Sequence, residues 1–313
     1  MVKPQLLSRR LVFVTGKGGV GKSTVATALG VLAAQRGKRA IVAEVSGRGD
    51  VPRLLGTSPA PEGVEVEVAP GLWSIAIDPQ RAMEEYLRDQ LPIPALAALL
   101  SGSRAFGYLT AATPGMRELL TVGKLWELAQ PKRRARGTDP YDIVIVDAPA
   151  TGHGIALLAA PRTFARVAQV GPIARQGKII AATLAKRSVT AVVAVSTAQE
   201  PAVNETLELQ ARLKGELGLA LHAVLINALH PWRFTLQEVR ALKSARSELP
   251  AGPAVHALDV ALAEESIVRS ERAQLRRLRE QTGGRGPELP FLFAPELGLS
   301  EIELLSAELD RWL

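Results

Sequence analysis

An apolar run, Leu11–Thr15, leads directly into Gly16-Lys17-Gly18-Gly19-Val20-Gly21-Lys22-Ser23-Thr24, and a helix-period segment follows to residue 35. Few short motifs constrain a fold as strongly. Glycines at this spacing let successive backbone N–H groups converge on phosphate oxygens, and the helix that follows adds its positive N-terminal end. The strand, loop, helix order is the setting a P-loop requires. In that setting Gly16, Lys17, Gly18, Gly19, Val20, Gly21, Lys22, Ser23 and Thr24 line a phosphate site. Lys22 is expected to reach the outer phosphates, and the Ser23 hydroxyl to ligate Mg²⁺.

Beyond the loop, short β-branched runs at 40–45, 143–147, 189–196 and 223–227 alternate with longer helix-period segments. Such alternation predicts an α/β fold, a mostly parallel doubly wound sheet covered by helices on both faces. The continuous run Ile143-Val144-Ile145-Val146 fits a strand buried on both sides. Two stretches break the rhythm. Residues 78–137 are rich in Ala, Leu and Glu, and read as a helical subdomain inserted into a nucleotide-binding domain formed by 1–77 and 138–313. Residues 161–187 read as a second helical stretch. Pro131-Lys132-Arg133-Arg134-Ala135-Arg136-Gly137 reads as a solvated basic loop, with a polyanion contact as the alternative. The Gly-rich 283–287 loop is expected to join the last helix to the last strand.

With 313 residues, 47% hydrophobic and 22% charged, the chain has the composition of a globular protein. It contains no Cys, which excludes disulfides, thiolate metal sites and Cys nucleophiles at once. The net charge of +7 permits a polyanion partner without requiring one. No charge-free apolar run reaches the roughly 18 residues a membrane-crossing helix needs. The basic N-terminus runs into a strand and a Gly-rich loop instead of a signal-peptide core, so a cytoplasmic location is expected.

Lys17, directly after the first loop glycine, cannot easily fold back on its own loop's phosphates, which suggests a charge offered across a dimer interface. With it, GKGGVGKST resembles the deviant Walker A of the SIMIBI class of P-loop proteins. In that class this lysine reaches the partner's nucleotide in a face-to-face dimer. The run from Tyr141 and Asp142 through Asp147-Ala148-Pro149-Ala150-Thr151-Gly152-His153 resembles switch II of the arsenite-transporting ATPase (ArsA) family, which includes the ATPases that deliver tail-anchored membrane proteins. The resemblance implies ATP and Mg²⁺ as cofactors, Asp147 as the carboxylate holding Mg²⁺ through water, and 151–153 as a sensor of the terminal phosphate.

Pro114-Gly115-Met116-Arg117-Glu118-Leu119-Leu120 is similar to a segment of that family's helical subdomain, and 196–206 to the family's loop after the next strand. By the same likeness Asn227 would read the adenine edge and a final strand at 290–293, with Pro290 and Phe291, would complete the base pocket. Asn at a strand end is equally at home in a turn, so its residue type alone leaves Asn227 open.

Two features depart from the family. Counted from the strand, Ala43-Glu44-Val45-Ser46-Gly47-Arg48-Gly49-Asp50 puts Ser46 where switch I carries the Asp that orients the attacking water. A hydroxyl is far too weak a base for that task. Glu44 and Asp50 are the carboxylates nearby, so Lys17, Lys22, Asp147, Glu44 and Ser46 form the candidate catalytic set. The absence of Cys removes both thiolate metalloid sensing and the zinc that CxxC pairs hold between subunits, and His222, His230 and His256 lack metal spacing, so no zinc is expected. The apolar 96–100 stripe with Phe106, Tyr108 and Leu109 could pack internally or take a hydrophobic client or membrane-protein partner.

Three readings therefore stand. The first is an ArsA-like Mg²⁺-ATPase working as a nucleotide-gated dimer, its hydrolysis slowed by Ser46. The second is a regulatory ATP-binding subunit in a heterodimer with another ArsA-like chain. The third is a partition-type ATPase that binds DNA or membrane, which the switch II sequence and the helical insertion disfavour.

Overall fold

The computed structural model describes residues 6–47, 49–90, 115–133, 138–167, 171–284 and 286–313. Eight strands form one sheet: β1 (Leu11–Thr15), β2 (Ala40–Glu44), β3 (Val66–Ala69), β4 (Leu72–Ala76), β5 (Ile143–Asp147), β6 (Thr190–Ser196), β7 (Ala223–Leu229) and β8 (Glu288–Pro290). Their order is β3-β4-β2-β5-β1-β6-β7-β8, parallel throughout except for the β3–β4 pair. Every residue of β1, β2, β5 and β6 is buried, which explains why these strands read as unbroken apolar runs.

The helices are α1 (Lys22–Gln35), α2 (Asp50–Leu54), α3 (Pro79–Gln90), α4 (Met116–Leu128), α5 (Thr151–Val167), α6 (Pro172–Ala185), α7 (Glu200–Arg212), α8 (Leu236–Glu248), α9 (Pro253–Thr282) and α10 (Leu299–Asp310). On one face α1 and α10 share a core with Val12, Val42 and Ile145. On the other, α4, α5 and α6 cover Phe13, Ile41 and Val146. Residues 25–33 of α1 are all buried, because that helix is covered by the sheet on one side and by α10 on the other. A Cβ on its Gly30 would stand 2.7 Å from Val42 Cγ2, so glycine sets how closely α1 lies on the sheet.

Several expectations need correction. β3 and β4 add to the strands expected and form an antiparallel hairpin around Pro70-Gly71, with Gly71 at φ 77°. The final strand is Glu288–Pro290, not 290–293: proline has no N–H to extend the ladder, and after one more bond, Phe291 N to Leu229 O at 3.0 Å, the chain leaves the sheet. The Gly-rich 283–287 loop precedes this strand, but α10 follows it, so α9 is not the last helix. Residues 200–206 are the start of α7 and no loop, with Pro201 in the first turn where its missing N–H is harmless.

Arg133 is not a solvated charge. Its side chain is 1% exposed and its guanidinium is shared between Glu65 at 2.6 Å and Glu127 at 3.0 Å. Arg134, Ala135, Arg136 and Gly137 lie outside the described residues, as do Arg48, Pro114, the 96–100 stripe, Phe106, Tyr108 and Leu109. Among the described residues no helix is long and apolar enough to cross a membrane.

Candidate functional site

The carboxyl ends of β1, β5 and β2 lie side by side, and in a doubly wound sheet that edge is where ligands bind. From β1 the chain turns through Gly16, at φ 149°, where a Cβ would meet the Val195 carbonyl oxygen at 2.1 Å. No residue with a side chain fits there. Val20 is buried and packs into the core shared with α1, anchoring the loop from below. Gly21 adopts a left-handed conformation, φ 87°, as the N-cap of α1, which leaves the first amides of that helix at the loop.

Three side chains join the loop to the rest of the edge. Ser23 Oγ donates to Asp147 Oδ2 at 2.7 Å, so the first turn of α1 and the end of β5 meet. Lys22 Nζ donates to the Lys17 carbonyl at 3.0 Å, curled over the loop. Asn227 Nδ2 donates to the Val20 carbonyl at 2.9 Å from β7 and lies so near Gly21 that a Cβ there would be 2.2 Å away. Asn227 thus braces the loop, a contact its position at a strand end did not suggest. The next residue, Ala228, has φ 54°, the one positive φ at a non-glycine among the described residues, and marks the irregularity in β7.

Lys17 Nζ is 3.0 Å from Glu205 Oε2 on α7, with both side chains partly exposed. Burial pushes the Glu205 carboxyl up, but the bond from Lys17, the Thr151 hydroxyl and the charge of Lys22 outweigh it and hold the group below its usual range. Glu205 carries no local signal as a partner of Lys17, since 188 positions separate the two.

Glu44, 2% exposed, lies opposite Asp147 in the β2–β5 ladder. Its Oε1 accepts the amides of Asp50 at 2.6 Å and Val51 at 3.3 Å, capping α2. Burial raises its carboxyl above the ordinary range; the two amides pull it down in part, while Asp147 and Asp50 push it further up. Ser46, two residues on, is exposed, and Thr24 is half-buried. Beyond the other end of the site, Phe291 stacks on His230 with ring centres 4.4 Å apart, and His230 Nδ1 lies 2.8 Å from the buried Glu271. Pro290 beside it is exposed.

A parallel sheet whose first strand opens into a glycine loop, with a hydroxyl and a strand-end carboxylate meeting above it, defines an α/β protein of the P-loop NTPase kind. Residues 9–182 match the model of the family described as anion-transporting ATPase, and this chain belongs to that family. It is 31% identical to ATPase BagA of Mycobacterium tuberculosis over 248 residues, 77% of this chain and 71% of that protein. ATPase ASNA1 homolog 1 of Paramecium tetraurelia is 26% identical over 48% of this chain and 43% of its own length. The arsenical pump-driving ATPase of Escherichia coli is 26% identical over 51% of this chain and 27% of that protein.

Proposed function

We propose that the chain binds Mg·ATP and works as a nucleotide-gated dimer that hydrolyses ATP slowly, Ser46 standing where switch I needs a carboxylate. The observation that carries this is the 2.7 Å bond between Ser23 Oγ and Asp147 Oδ2 at the mouth of a glycine loop. Those two oxygens suit Mg²⁺, a hard cation that keeps several waters and shares phosphate oxygens. Bound there, Mg²⁺ would neutralise charge on the outer phosphates. The loop amides and the α1 N-terminus hold the phosphates, and Lys22 exchanges the Lys17 carbonyl for phosphate oxygens. Lys17 has only a partly exposed ion pair with Glu205 to leave, worth about 1 kcal/mol or less, before it reaches toward a partner's nucleotide. Residues 78–137 serve as the helical subdomain, and Pro79 of α3 and Arg117 and Glu118 of α4 line a cleft with Ser46, Pro149 and His153.

A second reading, a regulatory subunit paired with another ArsA-like chain, is favoured by Ser46 itself. Turnover of the purified chain beside its Ser46→Asp variant tests the role both readings give to Ser46. We expect the variant to be faster, by less than the roughly 10²–10⁴ that a positioned base contributes where no other carboxylate stands nearby. A wild-type rate at or above the variant's contradicts the assignment of slow hydrolysis to Ser46.

A further inference from the structure

The end of β4 carries a carboxylate that neither the loop nor switch I uses. β2 and β4 run parallel with Glu44 opposite Ala76, and the Ile77 amide donates to the Glu44 carbonyl at 2.9 Å, so the pairing continues past the last ladder residues. Two positions beyond each partner stand Ser46 and Asp78. They leave the sheet edge from neighbouring strands, whose spacing is about 5 Å. Both line one cleft of about 420 Å³, together with Pro149 and His153 of switch II and Glu118 of α4.

That cleft is walled by residues of both switch segments, Ser46 and Gly47 on one side and Pro149 and His153 on the other, with no residue of the glycine loop in its lining. The loop cradles the leaving oxygen, so the nucleophile must approach from the opposite side, between the switch segments. Of the carboxylates near Ser46, Glu44 is occupied in capping α2 and Asp50 is paired with Arg53 at 3.1 Å, while Glu62 and Glu118 line the cleft from outside the β2–β4 pairing that puts Asp78 in register with Ser46. Asp78 is held in place. Its Oδ1 accepts the Gln80 amide at 2.9 Å and its main-chain carbonyl accepts the Ala82 amide at 3.0 Å, making it the N-cap of α3. Its second oxygen has no protein partner among the described residues.

We propose that Asp78 is the carboxylate that orders the attacking water, a catalytic role that rests on the ATPase reading above. The water oxygen bonds to the terminal phosphorus as the bond to the bridging oxygen breaks and ADP leaves. The water's proton passes to Asp78 and from there to the released phosphate.

Asparagine and serine cap helices about as well as aspartate, so Asp78→Asn and Asp78→Ser keep the α3 cap while removing the charge. Each is expected to lower kcat for ATP at least about tenfold, with KM and the melting temperature unchanged, and adding Ser46→Asp is expected to restore turnover. Glu118→Gln is expected to keep the wild-type rate. Wild-type kcat in both Asp78 variants, or a fall at Glu118 with none at Asp78, overturns the proposal. So does a chain that binds Mg·ATP without turning it over, which leaves the nucleotide-binding reading standing. Failure of that wider reading looks different: the wild-type chain then does not bind Mg·ATP at all.

Discussion

Lys22→Ala is expected to lower ATP affinity by about 100-fold or more and to abolish measurable turnover. A charge-assisted hydrogen bond is worth about 1.5–3 kcal/mol, and a lysine shared between two phosphates forms two of them, which at about 1.4 kcal/mol per factor of ten gives the stated loss. The fold should persist. Lys22 is the first residue of α1, its head group bonds to the Lys17 carbonyl at the loop surface, and alanine favours the helix. Calorimetric titration with Mg·ATP, beside a melting curve, checks both halves. An alanine variant that binds with wild-type affinity would overturn the phosphate site.

Arg133→Ala is expected to destabilise the chain by about 3 kcal/mol, the lower end of the cost of breaking a buried ion pair. The guanidinium is 1% exposed and Glu127 is 5% exposed, so Glu127 would be left buried, keeping Lys124 at 3.3 Å but losing the Arg133 charge. Glu65, 25% exposed, would lose the 2.6 Å contact and keep the Tyr141 hydroxyl, which donates to it at 2.7 Å. For 313 residues at about 2.1 cal/mol/K each, that loss corresponds to a melting point lower by about 5 °C.

The network is also acid-sensitive. Burial alone would raise the Glu65 carboxyl, but the bonds from Arg133 and Tyr141 dominate and depress it below 4.5. A depressed carboxyl stabilises the folded state fully above the unfolded value and loses that contribution as pH falls through the folded value. Melting followed from pH 7 downward should therefore show the wild type and Arg133→Ala converging in acid. Equal melting points at neutral pH would show that the network does not hold these elements together.

What was legible in the chain was what is contiguous in it. The loop, the first helix and the buried strands each carry their signal within a few residues, since a strand covered on both faces must be apolar throughout. The β3–β4 hairpin sits at the sheet edge, and Val64-Glu65-Val66-Glu67-Val68 before Pro70-Gly71 was its available signature. Arg133 looked like surface because six residues separate it from Glu127 and 68 from Glu65, and only the fold brings all three together. The same holds for the neighbours Ser46 and Asp78. Their adjacency follows from β4 pairing directly with β2 while β3 passes to the outside, an order the chain does not spell out.

Sedimentation velocity with and without Mg·ATP tests the central claim most directly. The account predicts that the wild-type chain sediments as a dimer only with Mg·ATP, and that Lys17→Ala stays monomeric with it while still binding nucleotide. A wild-type chain that remains monomeric at saturating Mg·ATP, or a Lys17→Ala chain that dimerises as well as wild type, would contradict it.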